Sequence, residues 1–191
     1  KHSNFFDIDK NSNHKSSLPH MLPTKDQWEN ILSELGVKNS DHIIIYDNSD
    51  VISSCRVWYT FLYFDHDPNL VSVLDGGLKK WLRENRSISN ELHKPNPSKK
   101  YKINEKPEYI KSKKQIDENI KNPSFQTVDA RSRERFEGRV EEPRPGLRKG
   151  CIVGSKNIPF KECIDSKSNT FKSKSELINI FGKNNIDTSK P

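Results

Sequence analysis

Apolar residues occur along this chain in two patterns, one with the spacing of a helix and one of short continuous runs. One helical face collects Trp28, Ile31, Leu32 and Leu35. Thr24 and Gln27 predict a capping box at the start of this helix, and Gly36 predicts its end. The same spacing predicts two more helices, one with Val57, Trp58, Phe61 and Leu62 and one with Leu78, Trp81 and Leu82.

Two apolar runs, Ile43–Ile45 and residues 71–74, lie between the predicted helices. Short runs of this kind are typical of parallel strands that are covered on both faces. Gly76 and Gly77 follow the second run and predict a tight turn from strand into helix. Because strands and helices alternate, the sequence predicts an α/β fold in which helices flank a mainly parallel sheet.

A polar stretch at residues 88–106 contains Pro95 and Pro97 and shows no apolar period. Such a composition is typical of an interdomain linker. It divides the sequence into an N-terminal domain at residues 1–87 and a C-terminal domain at residues 107–191. The length of 191 residues fits one or two domains of ordinary size.

The C-terminal region repeats the alternation of helix and strand. Ile116 and Ile120 predict a helix, and residues 125–129 predict a strand. Ser173 and Glu176 predict another capping box. The helix that follows this box carries Leu177, Ile178 and Phe181. The sequence therefore predicts a second α/β domain.

The net charge of +7 raises the question of a nucleic-acid partner. Lysines supply most of this charge, but they are scattered and lack interleaved aromatic residues or a recognised binding motif. The pattern favours a solvated basic surface with no nucleic-acid partner, and its positive field would attract small anionic substrates. No run approaches the roughly 20 apolar residues of a membrane-spanning helix, so the sequence predicts no membrane partner.

Three cysteines, Cys55, Cys151 and Cys163, are too far apart for a C-x-x-C arrangement. The sequence therefore indicates neither a zinc site nor a redox dithiol. Reduced thiols are typical of the cytoplasm, and mitochondria are the alternative if a targeting segment precedes residue 1. Cys55 follows the first strand and is a candidate nucleophile, although its loop lacks the glycines that would aim backbone N–H groups at a thiolate.

Arg135 and Arg144 lie in a segment that is interrupted by Gly138, Pro143, Pro145 and Gly146. This segment is predicted to be an ordered loop and not a helix face. A guanidinium offers a rigid fork of donors that matches a carboxylate or a sulfur oxyanion, so two forks would hold one end of a small anionic substrate. The alternative is that both arginines form surface ion pairs with Glu134, Glu137, Glu141 and Glu142.

Short motifs surround these arginines in the order Val128-Asp129-Ala130-Arg131, Arg135-Phe136-Glu137-Gly138, Glu142-Pro143-Arg144 and Asn157-Ile158-Pro159-Phe160. An earlier set reads Phe5-Phe6-Asp7-Ile8-Asp9, Leu18-Pro19-His20-Met21-Leu22-Pro23, Ile43-Ile44-Ile45-Tyr46-Asp47, Arg56-Val57-Trp58 and Leu74-Asp75-Gly76-Gly77-Leu78. The set around the two arginines resembles the second domain of tandem rhodanese-like sulfurtransferases, particularly those that act on 3-mercaptopyruvate. The set that begins at Phe5 resembles their first domain, and the order of the motifs is that of the family. The resemblance covers nearly the whole chain and is weakest at residues 88–106.

This resemblance implies two rhodanese-like domains that move a sulfane sulfur from 3-mercaptopyruvate, or from thiosulfate, through a cysteine persulfide. Arg135 and Arg144 occupy the positions that bind the donor carboxylate in the family. Asp9 and His20 occupy positions that assist catalysis, the alternative being that Asp9 caps a turn and His20 fixes its loop. The acceptor would be cyanide or a thiol, either thioredoxin-like or small. The family needs no metal or organic cofactor, and a monomer is expected.

The chain departs from the family at Gly150-Cys151-Ile152-Val153-Gly154, where the family usually has histidine and proline in place of Cys151 and Val153. The family's nucleophilic cysteine follows a strand that we expect after Pro191. We therefore expect a fragment that is cut at both ends, with both domains incomplete and no activity of its own. The alternative is a non-catalytic rhodanese-like module that serves in binding.

Overall fold

The computed structural model describes residues 3–49, 52–97 and 101–190, and the chain divides into two compact units, Lys1–Ile110 and Lys111–Pro191. The first unit contains α1 (Lys25–Glu34), β1 (Ile43–Ile45), α2 (Ser53–Tyr63), β2 (Val71–Val73) and α3 (Gly77–Arg83). The second unit contains α4 (Lys113–Lys121), β3 (Val128–Asp129), α5 (Arg133–Phe136), β4 (Lys156–Asn157) and α6 (Lys174–Lys183). Single 3-10 turns lie at Pro68–Leu70, Pro107–Tyr109 and Phe160–Cys163. Helices alternate with parallel strands in both units, which confirms the predicted α/β fold.

Capping boxes begin three of the helices. In α1 the Thr24 hydroxyl accepts from the Gln27 backbone N–H at 3.3 Å, and the Gln27 side chain accepts from the Thr24 N–H at 2.9 Å. The same reciprocal pair joins Ser173 and Glu176 ahead of α6, so both predicted boxes are confirmed. A third box begins α4. Each such cap contributes about 1 kcal/mol, which fixes where these short helices start.

The core of the first unit is built on the apolar faces of α1 and α2. Its buried residues are Trp28, Leu32, Phe61, Leu62, Phe64, Val71, Tyr101 and Ile103. The Trp28 ring stacks on Phe64 at a centroid distance of 5.6 Å and meets Phe61 edge-on at 5.1 Å. Full burial of a leucine or phenylalanine contributes roughly 1.5–3 kcal/mol, so this cluster is the main source of stability in the unit.

Residues 101–106, which the sequence predicts as the end of a linker, belong to the first unit and pack into its core. Tyr101 and Ile103 are buried in its core, with 1% and 4% of their surface exposed. The backbone N–H of Lys106 donates to the Tyr63 C=O at 2.9 Å, and the Lys106 ammonium pairs with Asp65 at 2.7 Å. Two apolar positions are too few to show a period in a sequence. Residues 101–106 therefore look polar in the sequence, although Tyr101 and Ile103 belong to the core in the structure.

The strands of the first unit pair in parallel, with Ile43 opposite Val71 and Ile45 opposite Val73. Ile43 and Ile45 are partly buried against the core. Ile44 points to the other face and is 62% exposed, because successive side chains of a strand face opposite sides. The prediction of strands covered on both faces is therefore wrong for β1 within this unit.

The strand predicted at residues 125–129 is shorter in the structure, where β3 is confined to Val128–Asp129. The side chain of Asn119 explains the difference. Its Oδ1 accepts from the Phe125 backbone N–H at 3.0 Å, and its Nδ2 donates to the Phe125 C=O at 3.0 Å. These bonds occupy the backbone groups of Phe125 that a sheet would need. The predicted helices at Ile116 and at Leu177 are confirmed as α4 and α6.

Candidate functional site

The end of β3 positions the charged loop of the second unit. Asp129 lies opposite Asn157 in the parallel pair of β3 and β4. The Asn157 Nδ2 donates to the backbone C=O of Asp129 at 2.8 Å and to that of Arg131 at 3.0 Å. Asn157 is buried, so water does not compete for these bonds. The backbone that carries Asp129 and Arg131 is therefore fixed from the neighbouring strand.

Arg131 uses all three of its guanidinium nitrogens in bonds to the protein. Its Nε and Nη2 donate to the Asp129 carboxylate at 3.0 and 2.6 Å. Nη2 also donates to the Gly150 C=O at 2.7 Å, and Nη1 donates to Oε1 of Glu142 at 2.7 Å. The hydrogen bond to Asp129 raises the pKa of Arg131 above its ordinary value. Arg131 therefore holds together a strand end and two points of the following loop.

Arg135 lies in the short helix α5, so the prediction of a loop is wrong at this residue; the four-residue helix carries too few apolar positions to show a helical period. Together with Glu142, Arg135 continues this set of ion pairs. Nη2 of Arg135 donates to Oε2 of Glu142 at 2.5 Å, and Nε donates to Oε1 at 3.3 Å. The Glu142 side chain is only 4% exposed. Nη1 of Arg135 donates to none of the residues that the structure describes. An ion pair of the kind considered as the alternative thus exists for Arg135, but it is shielded and leaves one guanidinium nitrogen for a ligand.

We call Asp129, Arg131, Arg135 and Glu142 the arginine cluster. The hydrogen bond from Arg135 lowers the pKa of Glu142 below its ordinary value. Burial acts to raise the pKa of Asp129, but the hydrogen bonds from Arg131 outweigh it and leave that pKa lowered as well. Both carboxylates are therefore ionised at neutral pH, and charges of alternating sign follow one another through the cluster.

Arg144 lies in an exposed loop, two residues beyond Glu142. Two trans peptide links place its Cα within about 7.6 Å of the Glu142 Cα. The structure therefore pairs Arg135 with Glu142, and the backbone of Arg144 follows that glutamate by two residues. Two of the other carboxylates considered as partners pair elsewhere, Glu137 with Arg139 and Glu141 with Lys149.

A turn at residues 152–155 forms where the sequence departs from the family pattern. The Ser155 backbone N–H and hydroxyl both donate to the Ile152 C=O, at 3.0 and 2.6 Å. Gly154 has a φ of +78°, which a glycine adopts without strain. Two hydrogen bonds and a glycine therefore close the turn although Val153 replaces the family's proline.

In the first unit, the Asp9 carboxylate is hydrogen-bonded to the His20 ring through Oδ1 and Nε2. An ionised carboxylate only accepts hydrogen bonds, so Nε2 carries the proton. The local turn is capped by Asp7, whose Oδ1 accepts from the Asp9 N–H at 2.9 Å and from the Lys10 N–H at 3.1 Å. Asp7 and not Asp9 therefore caps this turn, and the Asp9 carboxylate accepts the hydrogen bond from His20.

His20 has a φ of +56°, which places its backbone in the left-handed region. Residues other than glycine seldom adopt this region, and holding one there costs on the order of 1–2 kcal/mol. Nη2 of Arg56, on α2, donates to the His20 C=O at 2.6 Å and supports this conformation. The His20 and Asp9 side chains are 42% and 77% exposed, so the pair can exchange protons with solvent or a bound molecule.

The cysteines differ in their surroundings. Burial, followed by the charge of Asp47, raises the pKa of the Cys55 thiol. Burial, followed by the charge of Glu162, raises the pKa of the Cys163 thiol. Cys151 is exposed. Because a nucleophilic cysteine needs a lowered pKa, neither Cys55 nor Cys163 has the environment of a nucleophile.

The described ranges contain neither a metal site nor a membrane-spanning helix. No group of three or more histidine, cysteine, aspartate and glutamate side chains there could hold a metal ion. No helix within those ranges is long and apolar enough to cross a membrane.

Two members of the arginine cluster, Arg131 and Glu142, stand out only in the structure. The signal for Arg131 in the sequence is its spacing of two residues from Asp129 at a predicted strand end. The signal for Glu142 is Pro143, which restricts the backbone of the residue before it. Neither signal is specific enough to assign the pairing without the structure.

Comparisons with known proteins extend these observations. The family model of the rhodanese-like domain matches residues 6–84. The chain is 40% identical over 189 residues to the 3-mercaptopyruvate sulfurtransferase of Homo sapiens, a match that covers 98% of this chain and 62% of the human protein. It is 35% identical over 207 residues to thiosulfate/3-mercaptopyruvate sulfurtransferase 1, mitochondrial, of Arabidopsis thaliana, with 98% and 54% covered. The chain therefore spans less than two thirds of the length of these relatives.

A solved structure is similar as well. The crystal structure of SseA from Escherichia coli, which shows the rhodanese fold of 3-mercaptopyruvate sulfotransferases, matches with a TM-score of 0.85 at 31% identity. The match covers 98% of this chain and 68% of the SseA chain. The likeness therefore extends over both units.

Proposed function

This chain belongs to the rhodanese-like family of sulfurtransferases, and on that basis we propose that the whole protein transfers a sulfane sulfur from 3-mercaptopyruvate to an acceptor. Thiosulfate is the alternative donor, since the plant relative is named for both compounds. The proposed acceptor is a thioredoxin-like or small thiol, or cyanide. We propose a monomer in the cytoplasm, with mitochondria, which the name of the plant relative gives, as the alternative.

The Arg135–Glu142 pair is the observation that supports a donor with a carboxylate. Glu142 holds Arg135 along its Nε and Nη2 edge and leaves Nη1 for a ligand. A carboxylate spreads its charge over two oxygens, so it can accept hydrogen bonds from two neighbouring guanidiniums at once. We propose Arg144, which follows Glu142 by two residues, as the second of these donors.

In the proposed reaction a cysteine thiolate attacks the sulfur of 3-mercaptopyruvate. A sulfur–sulfur bond forms, the carbon–sulfur bond breaks, and its electron pair leaves with the carbon as the enolate of pyruvate. A proton converts the enolate to pyruvate, and the enzyme keeps a cysteine persulfide. Arg135 and Arg144 would hold the carboxylate so that the sulfur is presented in line. A thiol or cyanide then takes the outer sulfur and regenerates the thiolate.

We propose that Asp9 and His20 relay the proton that the enolate takes up. Asp9 fixes the tautomer of His20 because its carboxylate accepts from Nε2. The imidazole ring would then deliver the proton to the enolate as a general acid. A positioned general acid of this kind contributes roughly 100-fold to 10,000-fold to a rate.

The nucleophile is proposed to lie outside residues 1–191. A cysteine that forms a persulfide needs a lowered pKa, whereas burial raises the pKa of Cys55 and Cys163. Cys151 is exposed and lies at a position where the family usually has histidine. We therefore propose that residues 1–191 bind the donor but do not turn it over by themselves.

We also propose that the two units are tandem rhodanese-like domains, with a boundary near Ile110, where the compact units divide. The ten-residue helices α1 and α6 both begin with a capping box. After α1 the Val37 N–H donates to the Leu32 C=O at 2.9 Å, and after α6 the Ile186 N–H donates to the Phe181 C=O at 3.0 Å. Such helix ends are common, so the repeat is supported by the combination of equal length, cap and closure.

The test is an assay of the full-length protein with two donors. With 3-mercaptopyruvate and a thiol we expect pyruvate release and, before the thiol is added, a protein mass greater by one sulfur atom. Thiosulfate and cyanide form the second assay, with thiocyanate as product. Turnover of thiosulfate alone would replace the proposed donor. If neither donor reacts and the mass does not change, sulfur transfer is wrong and the rhodanese-like binding module becomes the function.

A further inference from the structure

We propose that Glu142 is a positioning residue that holds the Arg135 guanidinium in the orientation in which it binds the donor carboxylate, and that Arg131 in turn holds Glu142. This inference rests on the proposed function, in which Arg135 binds that carboxylate. It adds two residues to the donor site that do not contact the donor themselves.

Glu142 is fully engaged by two arginines. Its Oε1 accepts from Nη1 of Arg131 at 2.7 Å and from Nε of Arg135 at 3.3 Å, while its Oε2 accepts from Nη2 of Arg135 at 2.5 Å. Its side chain is almost completely covered, with 4% exposed. A carboxylate repels an anionic donor, so Glu142 has no direct part in holding one. Any contribution it makes to donor binding passes through Arg135.

Arg131 connects Glu142 to the sheet. Asp129, at the end of β3, binds the Arg131 guanidinium from one side, and the Gly150 C=O accepts from Nη2 at 2.7 Å. The loop that carries Glu142 is otherwise exposed at most of its residues. A side chain held from a strand end keeps its geometry better than one held by a loop alone. Arg131 therefore transmits the rigidity of β3 to the Arg135–Glu142 pair.

This arrangement orders Arg135 before the donor arrives. A long side chain loses rotamer freedom when it binds a ligand, and that loss weakens binding. The pair with Glu142 removes part of this freedom in advance and directs Nη1 away from the Nε and Nη2 edge. Loss of Glu142 should therefore weaken binding of the donor and leave the chemical step almost unchanged. In kinetic terms the KM rises while kcat stays the same.

The experiment compares Glu142→Gln with Glu141→Gln in the full-length protein. Glu141 is the adjacent carboxylate, is 79% exposed at its side chain and pairs with Lys149, so the control removes the same charge one residue away. We expect Glu142→Gln to raise the KM for 3-mercaptopyruvate by up to about tenfold, the effect of ordering one long side chain on binding, with kcat within about twofold. Glu141→Gln should leave both constants within about twofold of the wild type.

A double-mutant cycle separates positioning from a general structural effect. If Glu142 acts through Arg135, then Glu142→Gln adds no further increase in KM when Arg135 is already replaced by alanine. The inference is overturned if the two increases multiply in the double variant. It is equally overturned if the KM of Glu142→Gln matches that of Glu141→Gln.

A second variant covers the case in which Glu142→Gln does not fold, as judged by its thermal melting. Arg131→Lys keeps the charge but cannot reach Asp129, Gly150 and Glu142 together, so it should raise the KM by the same route and show the same non-additivity with Arg135→Ala. A wild-type protein that does not turn over 3-mercaptopyruvate would refute the proposed function and this inference with it. A wild type that does so, with an unchanged KM in both variants, would refute the inference alone.

Discussion

Tyr101 donates its hydroxyl proton to Nδ1 of His66 inside the core of the first unit. The two rings are stacked, with centroids 6.0 Å apart and planes inclined by 18°. The contacts of the other ring nitrogen, Nε2, show which atom donates in this hydrogen bond. Nε2 of His66 lies 3.1 Å from the Asp41 carbonyl oxygen and 3.3 Å from that of Leu70, so Nε2 carries the proton and Nδ1 is the acceptor.

Replacement of Tyr101 by phenylalanine should destabilise the first unit. The change keeps the ring but leaves Nδ1 of His66 buried without a donor, which costs about 1–3 kcal/mol in the free energy of unfolding. Urea denaturation followed by tryptophan fluorescence measures this loss, because Trp28, Trp58 and Trp81 all belong to the first unit. Tyr46→Phe is the control, because Tyr46 is 42% exposed and its change should stay within about 0.5 kcal/mol. Equal losses in the two variants would show that the buried hydrogen bond contributes nothing.

Acid should weaken the second unit through Asp129 and Glu142. Both carboxyl pKa values are lowered in the folded state, so the folded protein binds fewer protons than the unfolded chain in acid. The stability that these groups contribute is present above the ordinary carboxyl pKa of about 4 and is lost as the pH falls below it. Glu142→Gln removes one of the two groups. Its melting temperature should therefore fall less steeply than that of the wild type between about pH 5 and pH 3.

Glu141→Gln is again the matched control for this measurement. It removes a neighbouring carboxylate that is mostly exposed, so its melting temperature should follow the wild type over the same pH range. Parallel curves for the wild type and both variants would contradict the assignment of acid sensitivity to the arginine cluster.

Arg144→Ala tests the carboxylate assignment. The variant should raise the KM for 3-mercaptopyruvate about tenfold to a hundredfold, since a charge-assisted hydrogen bond is lost, and should change the KM for thiosulfate much less. Steady-state kinetics with both donors provide the comparison. Arg148→Ala, an exposed arginine in the same loop, controls for the loss of positive charge. Equal increases for the two donors in Arg144→Ala would remove the carboxylate as the reason for its effect.

His20→Gln tests the proton relay. The variant loses the group that would protonate the enolate, so kcat with 3-mercaptopyruvate should fall by about 100-fold with little change in KM. Pyruvate release in single turnovers is the measurement. His14→Gln serves as the control, because His14 is exposed in the same segment and is hydrogen-bonded to the nearby Lys10 C=O at 2.8 Å. A kcat in His20→Gln equal to that of the control would mean that His20 is structural.

Local signals were sufficient for α1, α2, α3, α4 and α6, but not for the four-residue helix α5, where the sequence predicted a loop. The boxes at Thr24 and at Ser173 could be read from the sequence because each is closed within three residues. The apolar run Ile43–Ile45 likewise identified β1. Whether both faces of β1 are buried could not be predicted, because the sequence does not distinguish an isoleucine that faces a helix from one that faces solvent.

Contacts between distant residues account for what the sequence did not show. Tyr101 is hydrogen-bonded to His66, which lies 35 residues away in the sequence, and no local pattern predicts that pair. Four carboxylates lay near Arg135 along the chain, and the choice of Glu142 depends on Arg131, which reaches it from the end of β3. The proposed roles of Arg135 and Arg144 rest on motif order, which leaves the partners of the two side chains undetermined.

The arginine cluster has a consequence for folding kinetics. The bonds that join Asp129, Arg131, Arg135 and Glu142 to one another span at most 11 residues. Loops of about 10 residues close within 10–100 ns, and contacts between residues so close in sequence can form before the rest of the chain folds. The cluster should therefore form early and reform quickly after local opening. Hydrogen-exchange labelling of the Arg131 amide, which donates to Asp129 at 2.9 Å, would show protection before that of the β3–β4 amides.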